Sequence, residues 1–280
     1  MKENYKLTII TINLNNKEGL YKTIKSVATQ KSPPHNFEYI IIDGGSTDGS
    51  IDVINEYADY IDYWVNEPDK GIYNAMNKGV QKAHGVFCLF LNSGDSLYSP
   101  NVIREIAKVL NNELDILSGC AYVVKNNQKV KADAPGCLSL PLFFNSGLCH
   151  QSTFIKTSLL KKRPYDEQMK ISSDWKFFVE CYVYEKVRYA KIDMVVALYD
   201  GNGISSNNAG IIWEERLSFL DSIPARLLLK EHLVIPHQIV DGINSIPYSY
   251  KFHKFLVYVN ALLIGVYKKI KPKANIDNVF

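Results

Sequence analysis

The sequence predicts an α/β protein in which helices cover both faces of a mostly parallel central sheet. Short apolar runs alternate with helical patterns at close spacing through the first half of the chain, which is typical of parallel strands joined by helices. Polar residues follow the ends of several of these runs. The length of 280 residues and the hydrophobic content of 46% suffice for one large domain with an appendage, or for two small domains.

The individual elements follow from apolar periodicity and from turn residues. Strands are predicted at residues 5–13, 37–43, 61–66, 86–91, 115–124 and 189–199. Helices are predicted at residues 17–30, 50–57, 71–84, 100–110, 174–184, 210–220 and 225–234. The pattern is less regular between residues 125 and 154, where a hairpin turn and strand are predicted at 125–131.

Four of the predicted strands end in a side chain that can bind a ligand, namely Asn13, Asp43, Asn66 and Asn92. The carboxyl ends of parallel strands meet at one edge of a sheet, and ligands of open α/β sheets bind at that edge. The strand that ends at Asp43 is followed by GGSTD rather than by a G-x-G-x-x-G motif, so an ordinary dinucleotide site is not expected.

A second chemical motif, LFLNSGDS, covers residues 89–96. It places Asp95 on a glycine turn just after a buried strand, where a carboxylate can bind a divalent cation that also holds phosphate oxygens. An Asx-turn, in which Asp95 satisfies only its own backbone, is the alternative.

A third motif, EPDKGIYNAMNKG, covers residues 67–79. It places Asp69 and Lys70 at the start of a helix, with Lys78 two turns further on. A helix N-terminus beside lysine side chains is a natural environment for a diphosphate. Simple helix capping by Asp69, with a solvated Lys70, is the alternative.

Taken in order, TIITINLNN, IIIDGGSTDGS, PDKGIYNAMNKG and FLNSGDS closely resemble glycosyltransferase family 2. The resemblance is sharpest to the bacterial polysaccharide-assembly subgroup, which uses D-K-G-I-Y-D-A-M-N-K-G and N-S-G-D. It is specific over about the first hundred residues, thins in the second half and ends near Ser206. It implies the Rossmann-like GT-A fold and the transfer of a sugar from a nucleotide diphosphate sugar.

The resemblance also implies roles for residues on the donor side. Asp43 matches the carboxylate that contacts the nucleotide base or ribose, and Thr11 and Asn13 match the first-strand tip that lines the same pocket. Asp95 matches the last aspartate of the family's D-x-D-type metal motif, which implies a divalent metal cofactor, Mn²⁺ or Mg²⁺. Lys70 and Lys78 are candidates for stabilising the leaving diphosphate.

Two departures from the family pattern affect this donor site. Asn92 and Gly94 stand where fuller versions of the metal motif carry acids, so metal binding rests mainly on Asp95, and Asn92 is a nucleotide-sugar candidate. Leu14 stands where many members place an aromatic residue, which removes a ring that would stack on the base.

The acceptor side is marked by ISSDWKFF at residues 171–178. Asp174 in this segment resembles the family's general base, which takes the proton of the acceptor hydroxyl; from the residues alone, a helix N-cap is the alternative. His150 and Gln151 resemble the family's acceptor-loop position, although a lone histidine is more often structural. Residues 201–205 resemble a loop that folds over the nucleotide.

The chain is predicted to have two parts. Residues 1–206 form the GT-A domain, with a nucleotide-sugar-binding half at 1–98 and an acceptor-binding half at 99–206, and residues 207–280 form a C-terminal helical region. Residues 242–276 contain six lysines and no acidic residue around an apolar run at 255–267. Residues 250–273 are thus a candidate for peripheral membrane contact, or for packing on the domain or on a second subunit of a homodimer.

The protein is predicted to be cytoplasmic. The inner face of the cytoplasmic membrane is the predicted location of the protein if its tail contacts a membrane. The five cysteines are scattered without a C-x-x-C pair, and the N-terminus has no signal-peptide pattern. The net positive charge of +3 arises from the six lysines of the tail, since the rest of the chain carries a net charge of about −3, so no nucleic-acid partner is expected.

The predicted function is inverting transfer of a sugar, with a UDP-sugar as the expected donor, to a glycan or lipid-linked glycan in cell-surface polysaccharide biosynthesis. One alternative is a nucleotidyltransferase, although NLNNKEG stands where its glycine-rich, arginine-containing loop would follow the first strand. The other is a non-catalytic nucleotide-binding protein at the membrane surface.

Overall fold

The computed structural model of the protein describes residues 5–31, 37–125, 128–201, 203 and 208–223. Contacts divide the chain into residues 1–212 and residues 213–280, and the domain boundary near residue 206 stays a prediction. The predicted helix at 225–234, the basic tail at 250–273 and most of the loop at 201–205 lie outside the described residues. Within the described ranges, no helix combines the length and apolar character needed to cross a membrane.

Strands and helices alternate as the sequence predicts. The strands are β1 (Leu7–Asn13), β2 (Phe37–Asp43), β3 (Tyr63–Asn66), β4 (Phe87–Phe90), β5 (Ser96–Leu97), β6 (Ile116–Lys125), β7 (Gln128–Ala132), β8 (Thr153–Lys156) and β9 (Tyr189–Asp200). The helices are α1 (Lys17–Ala28), α2 (Ser50–Glu56), α3 (Ile72–Lys82), α4 (Val102–Val109), α5 (Leu140–Asn145), α6 (Thr157–Lys162), α7 (Ser173–Glu180) and α8 (Ala209–Ser222).

The described strands form one sheet in the order β3-β2-β1-β4-β8-β6-β9-β5, with β7 beside β6. The first four strands in this order are parallel. Their register aligns Asn13 with Asp43, and Asp43 with Asn66. On the other side of β1, the Ser93 N–H donates to the Ile12 carbonyl at 3.1 Å. The predicted convergence of polar strand tips at one edge is therefore present.

Both faces of β1, β2 and β4 are buried, as their apolar sequences require, whereas the edge strand β3 is partly exposed. One face packs against α1, α2 and α4 through a core that includes Ile9, Tyr39, Ile41, Leu89 and Ile24. The opposite face packs against α3, where a Cβ atom on Gly79 would lie 2.5 Å from Ile10 Cγ2 and 3.5 Å from Ile42 Cγ1. The glycine allows α3 to approach the sheet closely.

The second half of the sheet mixes strand directions. β8 runs antiparallel to both β4 and β6, whereas β9 runs parallel to β6 and antiparallel to β5. The predicted helix at 174–184 is interrupted, because α7 ends at Glu180 and a π-helical turn covers Cys181–Glu185. The short elements β5, α5 and α6 are absent from the prediction, since a piece of two to six residues shows too little periodicity to be recognised.

The close contact between Gly85 and β1 gives a test of the packing. A Cβ atom at Gly85 would lie 2.5 Å from both Leu7 C and Thr8 N, so β1 or the 83–86 turn would have to move. We expect Gly85→Ala to lower the free energy of unfolding by about 1–3 kcal/mol, measured by urea denaturation. Gly136→Ala is the control, because no atom lies within 4 Å of its added Cβ; equal stability of the two variants would contradict the packing.

Candidate active site

Asp43, at the end of β2, is fully buried and shapes the turn that follows it. Its Oδ1 accepts the backbone N–H groups of Gly45 at 3.1 Å and Ser46 at 2.8 Å. Its Oδ2 accepts the Asn13 amide and the Ser46 hydroxyl, each at 2.7 Å. These four donors use the full acceptor capacity of the carboxylate. Asp43 therefore fixes the conformation of the turn that forms this part of the rim. Its predicted contact with the nucleoside stays a prediction.

Three buried oxygen atoms along the same rim have no hydrogen-bond partner among the described residues. They are Asn13 Oδ1, Asn92 Oδ1 and Ser93 Oγ. Buried polar atoms are nearly always paired, because leaving one unpaired costs about 1–3 kcal/mol. Their grouping at the ends of β1 and β4 marks a place where a ligand can supply the missing partners.

Asp95 lies just beyond β4, on a turn that Gly94 makes with a φ of 105°. Its Oδ2 accepts the Asn92 N–H at 3.1 Å, and the Gln151 side chain also hydrogen-bonds to it. Asp95 is only 6% exposed. Burial raises its pKa to about 6, although the positive charge of His150 and its hydrogen bonds act in the opposite direction. A carboxylate in such an environment gains much from a bound cation.

The loop before α3 lies over the tip of β2. A Cβ atom on Gly44 would lie 2.4 Å from Asp69 Oδ2, so the two segments are in direct contact. Lys78 Nζ lies 2.8 Å from Glu67 Oε1, and this ion pair holds the loop to α3. Lys70 is exposed at the start of the helix. The three residues predicted to surround the diphosphate are therefore close to the rim, and their contact with a donor stays a prediction.

Asp174, in the first turn of α7, faces this rim from the acceptor half. Its Oδ2 lies 3.0 Å from His150 Nδ1, and its Oδ1 accepts the Tyr73 hydroxyl at 3.1 Å. Burial by itself would raise the pKa of Asp174, but the hydrogen bond and charge of His150 outweigh it, and the pKa lies below its ordinary value. The side chain is 20% exposed, so this ionised carboxylate remains within reach of a substrate.

His150 contacts the Asp174 carboxylate directly and interacts with Asp95 through its charge. Burial lowers the pKa of its imidazole, yet the hydrogen bond to Asp174 and the charges of Asp174 and Asp95 raise it above its ordinary value overall. Its other ring nitrogen, Nε2, is buried and has no partner within the described part of the chain. His150 is therefore part of the same charged cluster as Asp95 and Asp174.

The remaining predicted residues have simpler surroundings. Thr11 is fully buried two residues before the tip of β1, where its hydroxyl lies 3.0 Å from Tyr39 Oη; its predicted role in lining the pocket stays a prediction. Leu14 is 55% exposed beside the rim, which leaves open space where an aromatic side chain would stand. Tyr73 is the site residue that the sequence did not suggest, although it lies inside the DKGIYNAM segment.

The mixed sheet with a strand-tip rim, with Asp95 buried beside it and Asp174 ionised nearby, fits the GT-A fold that the sequence predicts. Comparison with known proteins agrees, since the model of the family "Glycosyl transferase family 2" matches residues 8–175. The chain therefore belongs to glycosyl transferase family 2, and the protein is a glycosyltransferase.

Relatives of this chain are also named as glycosyltransferases. A PGL/p-HBAD biosynthesis glycosyltransferase of Mycobacterium bovis BCG is 30% identical over 235 residues, covering 81% of this chain and 88% of the relative. An uncharacterised glycosyltransferase of Mycobacterium tuberculosis is 30% identical over 206 residues, covering 72% and 77%.

Solved structures confirm the fold. S. aureus TarS 1–349 in complex with UDP-GlcNAc superposes with a TM-score of 0.62 at 18% identity, covering 89% of this chain and 73% of that one. Glucosyl-3-phosphoglycerate synthase of M. tuberculosis, in complex with Mn²⁺, UDP and glucosyl-3-phosphoglycerate, gives 0.55 at 12% identity, covering 79% and 81%.

The saturated environment of Asp43 predicts that even an isosteric change is costly. In Asp43→Asn, an amide NH₂ replaces an oxygen that accepts two donors, so donors face donors in a buried place. We expect a loss of about 1–3 kcal/mol in the free energy of unfolding. Asp48→Asn is the control, because Asp48 also accepts backbone N–H groups but is exposed. A neutral Asp43→Asn would show that the carboxylate is not needed for the turn.

Asp95 and Asp174 should affect stability in opposite directions. The folded protein binds the Asp95 proton more tightly than the unfolded chain does, so the destabilisation by this charge grows as the pH rises from 3.8 to about 6. Without added metal, we expect Asp95→Asn to be more stable than the wild type at pH 8 by about 3 kcal/mol, with no gain below pH 3.8. The pKa of Asp174 is lowered, so Asp174→Asn should instead be less stable at pH 8.

Thermal unfolding of the three proteins in EDTA at several pH values measures this difference. A loss of stability in both variants at pH 8 would contradict the environment described for Asp95.

Proposed function

We propose that the protein is an inverting glycosyltransferase that moves a sugar from a UDP-sugar to a glycan or lipid-linked glycan acceptor in cell-surface polysaccharide biosynthesis. The observation that carries this proposal is that two carboxylates in contrasting environments interact with His150, Asp174 by direct contact at 3.0 Å and Asp95 through its charge. Asp95 lies at the strand tips where a donor would bind, and Asp174 lies on the acceptor half. Each carboxylate has the environment that its step requires.

The donor class is supported by the solved structures of similar fold. TarS was determined with UDP and with UDP-GlcNAc, and a mannosyltransferase of Pyrobaculum calidifontis was determined with GDP-Man and Mn²⁺. The acceptor class is supported by the relatives named for PGL/p-HBAD biosynthesis and by the sequence resemblance to polysaccharide-assembly enzymes.

The rim of the sheet fits a divalent cation. In the described ranges, no three His, Cys, Asp or Glu side chains form a metal-holding group. The donors that are present are the Asp95 carboxylate and the unpaired Asn92 Oδ1 and Ser93 Oγ, which are hard oxygen ligands. Mg²⁺ is commonly held by one or two carboxylates together with substrate phosphates. When bound, the cation would neutralise charge on the leaving diphosphate.

The protein's own residues support the leaving group as well. The positive end of the α3 helix dipole lies at its first turn and favours an anion there. Asp69 Oδ1 accepts the Gly71 N–H at 2.8 Å at this helix start, and Lys70 adds a full positive charge. As the bond from the anomeric carbon to the diphosphate oxygen breaks, negative charge collects on that oxygen. Stabilising this developing charge is the largest catalytic contribution expected at such a site.

Asp174 activates the acceptor. Its lowered pKa keeps it ionised at neutral pH, so it supplies negative charge where the acceptor hydroxyl must lose its proton. The hydroxyl oxygen attacks the anomeric carbon on the face opposite the diphosphate, and this single displacement inverts the configuration at that carbon. Asp95 and Asp174 serve opposite ends of the reaction, as their environments suggest.

Substitution of each carboxylate tests this division of roles. We expect Asp95→Ala and Asp174→Ala each to lower nucleoside diphosphate release at least about 100-fold, whereas only Asp95→Ala weakens metal-dependent nucleotide binding. UDP-GlcNAc, UDP-glucose, UDP-galactose and GDP-mannose are incubated with the protein and Mn²⁺ or Mg²⁺, nucleoside diphosphate release is followed, and nucleotide binding is measured by thermal shift.

Glu105→Ala is the matched control, because Glu105 is a partly exposed acid on α4 whose partners are Arg104 and Lys108. Full activity in both aspartate variants would overturn the proposal. Pyrophosphate release from a sugar phosphate and a nucleoside triphosphate would show a nucleotidyltransferase instead.

A further inference from the structure

The carboxylate of Asp174 is held at both of its oxygens before any substrate binds. Oδ1 accepts the Tyr73 hydroxyl at 3.1 Å, and Oδ2 lies 3.0 Å from His150 Nδ1. The backbone N–H of Trp175 also donates to the carboxylate. An ionised carboxylate has about four lone-pair sites. With these donors in place, an acceptor hydroxyl can approach Asp174 only through the lone pairs that remain.

The charges of this group leave proton acceptance to Asp174. Burial disfavours its negative charge, but the hydrogen bond and the positive charge of His150 keep the pKa of Asp174 below its ordinary value. Burial and the charge of Asp174 raise the pKa of the Tyr73 hydroxyl well above its ordinary value. The phenol therefore keeps its proton and acts toward the carboxylate as a donor.

Tyr73 is itself fixed in place. It lies in the first turn of α3, is 5% exposed, and has its ring centroid 5.6 Å from that of Tyr165. Its hydroxyl also lies 2.5 Å from the Ile171 carbonyl, in the segment that leads into α7. The hydroxyl has one hydrogen, which the Ile171 carbonyl and Asp174 Oδ1 share. Tyr73 thus joins α3 to both the backbone and the side chain of the acceptor segment.

Two asparagines of α3 strengthen this connection. Asn74 Nδ2 and Asn77 Nδ2 donate to the two carboxylate oxygens of Glu167 at 2.8 and 2.9 Å. Asn74 Oδ1 in turn accepts the Lys70 N–H at 3.1 Å. The helix that begins at the proposed diphosphate site is therefore attached to the segment that precedes α7. A side chain held in this way gives a catalytic group a firm support.

We propose that Tyr73 is a positioning residue for the catalytic base, and that its hydroxyl holds Oδ1 of Asp174 so that the remaining lone pairs face the acceptor hydroxyl. The inference rests on the proposed glycosyl transfer and deepens it. The acceptor oxygen forms a bond to the anomeric carbon, and the bond from that carbon to the diphosphate oxygen breaks with its electron pair leaving on the diphosphate. The hydroxyl proton moves to the Asp174 carboxylate, while Tyr73 and His150 keep their own protons.

The need for two supports follows from the shape of the aspartate side chain. Its terminal torsion has a broad energy minimum, so a carboxylate that is held at one oxygen can still rotate. Contacts with Tyr73 at Oδ1 and with His150 at Oδ2 oppose this rotation. A general base must lie within hydrogen-bond reach of the proton that it takes, and a small misplacement can lower the rate on the order of 10²-fold.

Two neighbouring tyrosines give a matched pair of variants. Tyr73 and Tyr165 are both buried, but Tyr165 Oη has no hydrogen-bond partner within the described ranges. We expect Tyr73→Phe to lower kcat about 10- to 100-fold and to leave the KM for the donor within about twofold of the wild type, and Tyr165→Phe to keep both wild-type values. Nucleoside diphosphate release is measured with UDP-GlcNAc, or with the donor of the panel that reacts fastest, and water serves as the acceptor.

A double-mutant cycle separates positioning of the base from support of the fold. In Asp174→Asn there is no base to position, so adding Tyr73→Phe should lower the residual rate by less than about twofold. Concentrated enzyme and long incubations measure this rate, and thermal unfolding of each variant ensures that every assay is run on folded protein. A second loss as large as that of Tyr73→Phe alone would show that the hydroxyl acts only through the Ile171 carbonyl, and would overturn the inference.

The same assays distinguish failure of the inference from failure of the proposed function. If the wild type releases no nucleoside diphosphate from any donor, or if Asp174→Asn is fully active, the proposed function fails. If the wild type is active and depends on Asp174, but Tyr73→Phe keeps the wild-type kcat or Tyr165→Phe loses as much, only the inference fails.

Discussion

The parallel pairing of β1 with β2 on one side and β4 on the other is the constraint on which the site depends. Every residue of β1 and β2 is buried, so a shift of one residue would exchange the faces of the strands and lose both packing layers. The register that satisfies this core also aligns Asn13 with Asp43. The polar rim is therefore a consequence of core packing, and its geometry is as firmly determined as the core itself.

Two buried carboxylates at this rim differ in how far hydrogen bonds within the protein compensate their charge. Asp43 accepts four hydrogen bonds at 2.7–3.1 Å, so its charge is compensated within the protein. Asp95 is almost as buried, but it accepts the Asn92 N–H and a hydrogen bond from the Gln151 side chain, and burial raises its pKa to about 6. The first residue gives the turn its shape at no evident cost to stability. The negative charge of Asp95 is only partly compensated within the protein, so a bound cation can stabilise it.

Much of this arrangement can be predicted from the sequence, because the residues that form it are close together along the chain. β2 begins and ends where its apolar run does, and LFLNSGDS contains in eight residues both the strand and the turn that present Asp95. The partners of Asp174 do not follow from sequence, because Tyr73 is 101 positions away and His150 is 24 positions away. A π-helical turn after Glu180 is equally hidden, since its residues continue the apolar pattern of an ordinary helix.

The antiparallel direction of β8 explains how His150 comes to lie near the end of β4. Phe87 pairs with Lys156 and Cys88 with Ile155, so the start of β8 lies beside the end of β4. Residues that precede β8, His150 and Gln151, are thereby brought to the residues that follow β4, including Asp95. A parallel strand in this position would have placed them at the opposite edge of the sheet. The change of strand direction after β4 is thus what brings His150 and Gln151 to the turn that carries Asp95.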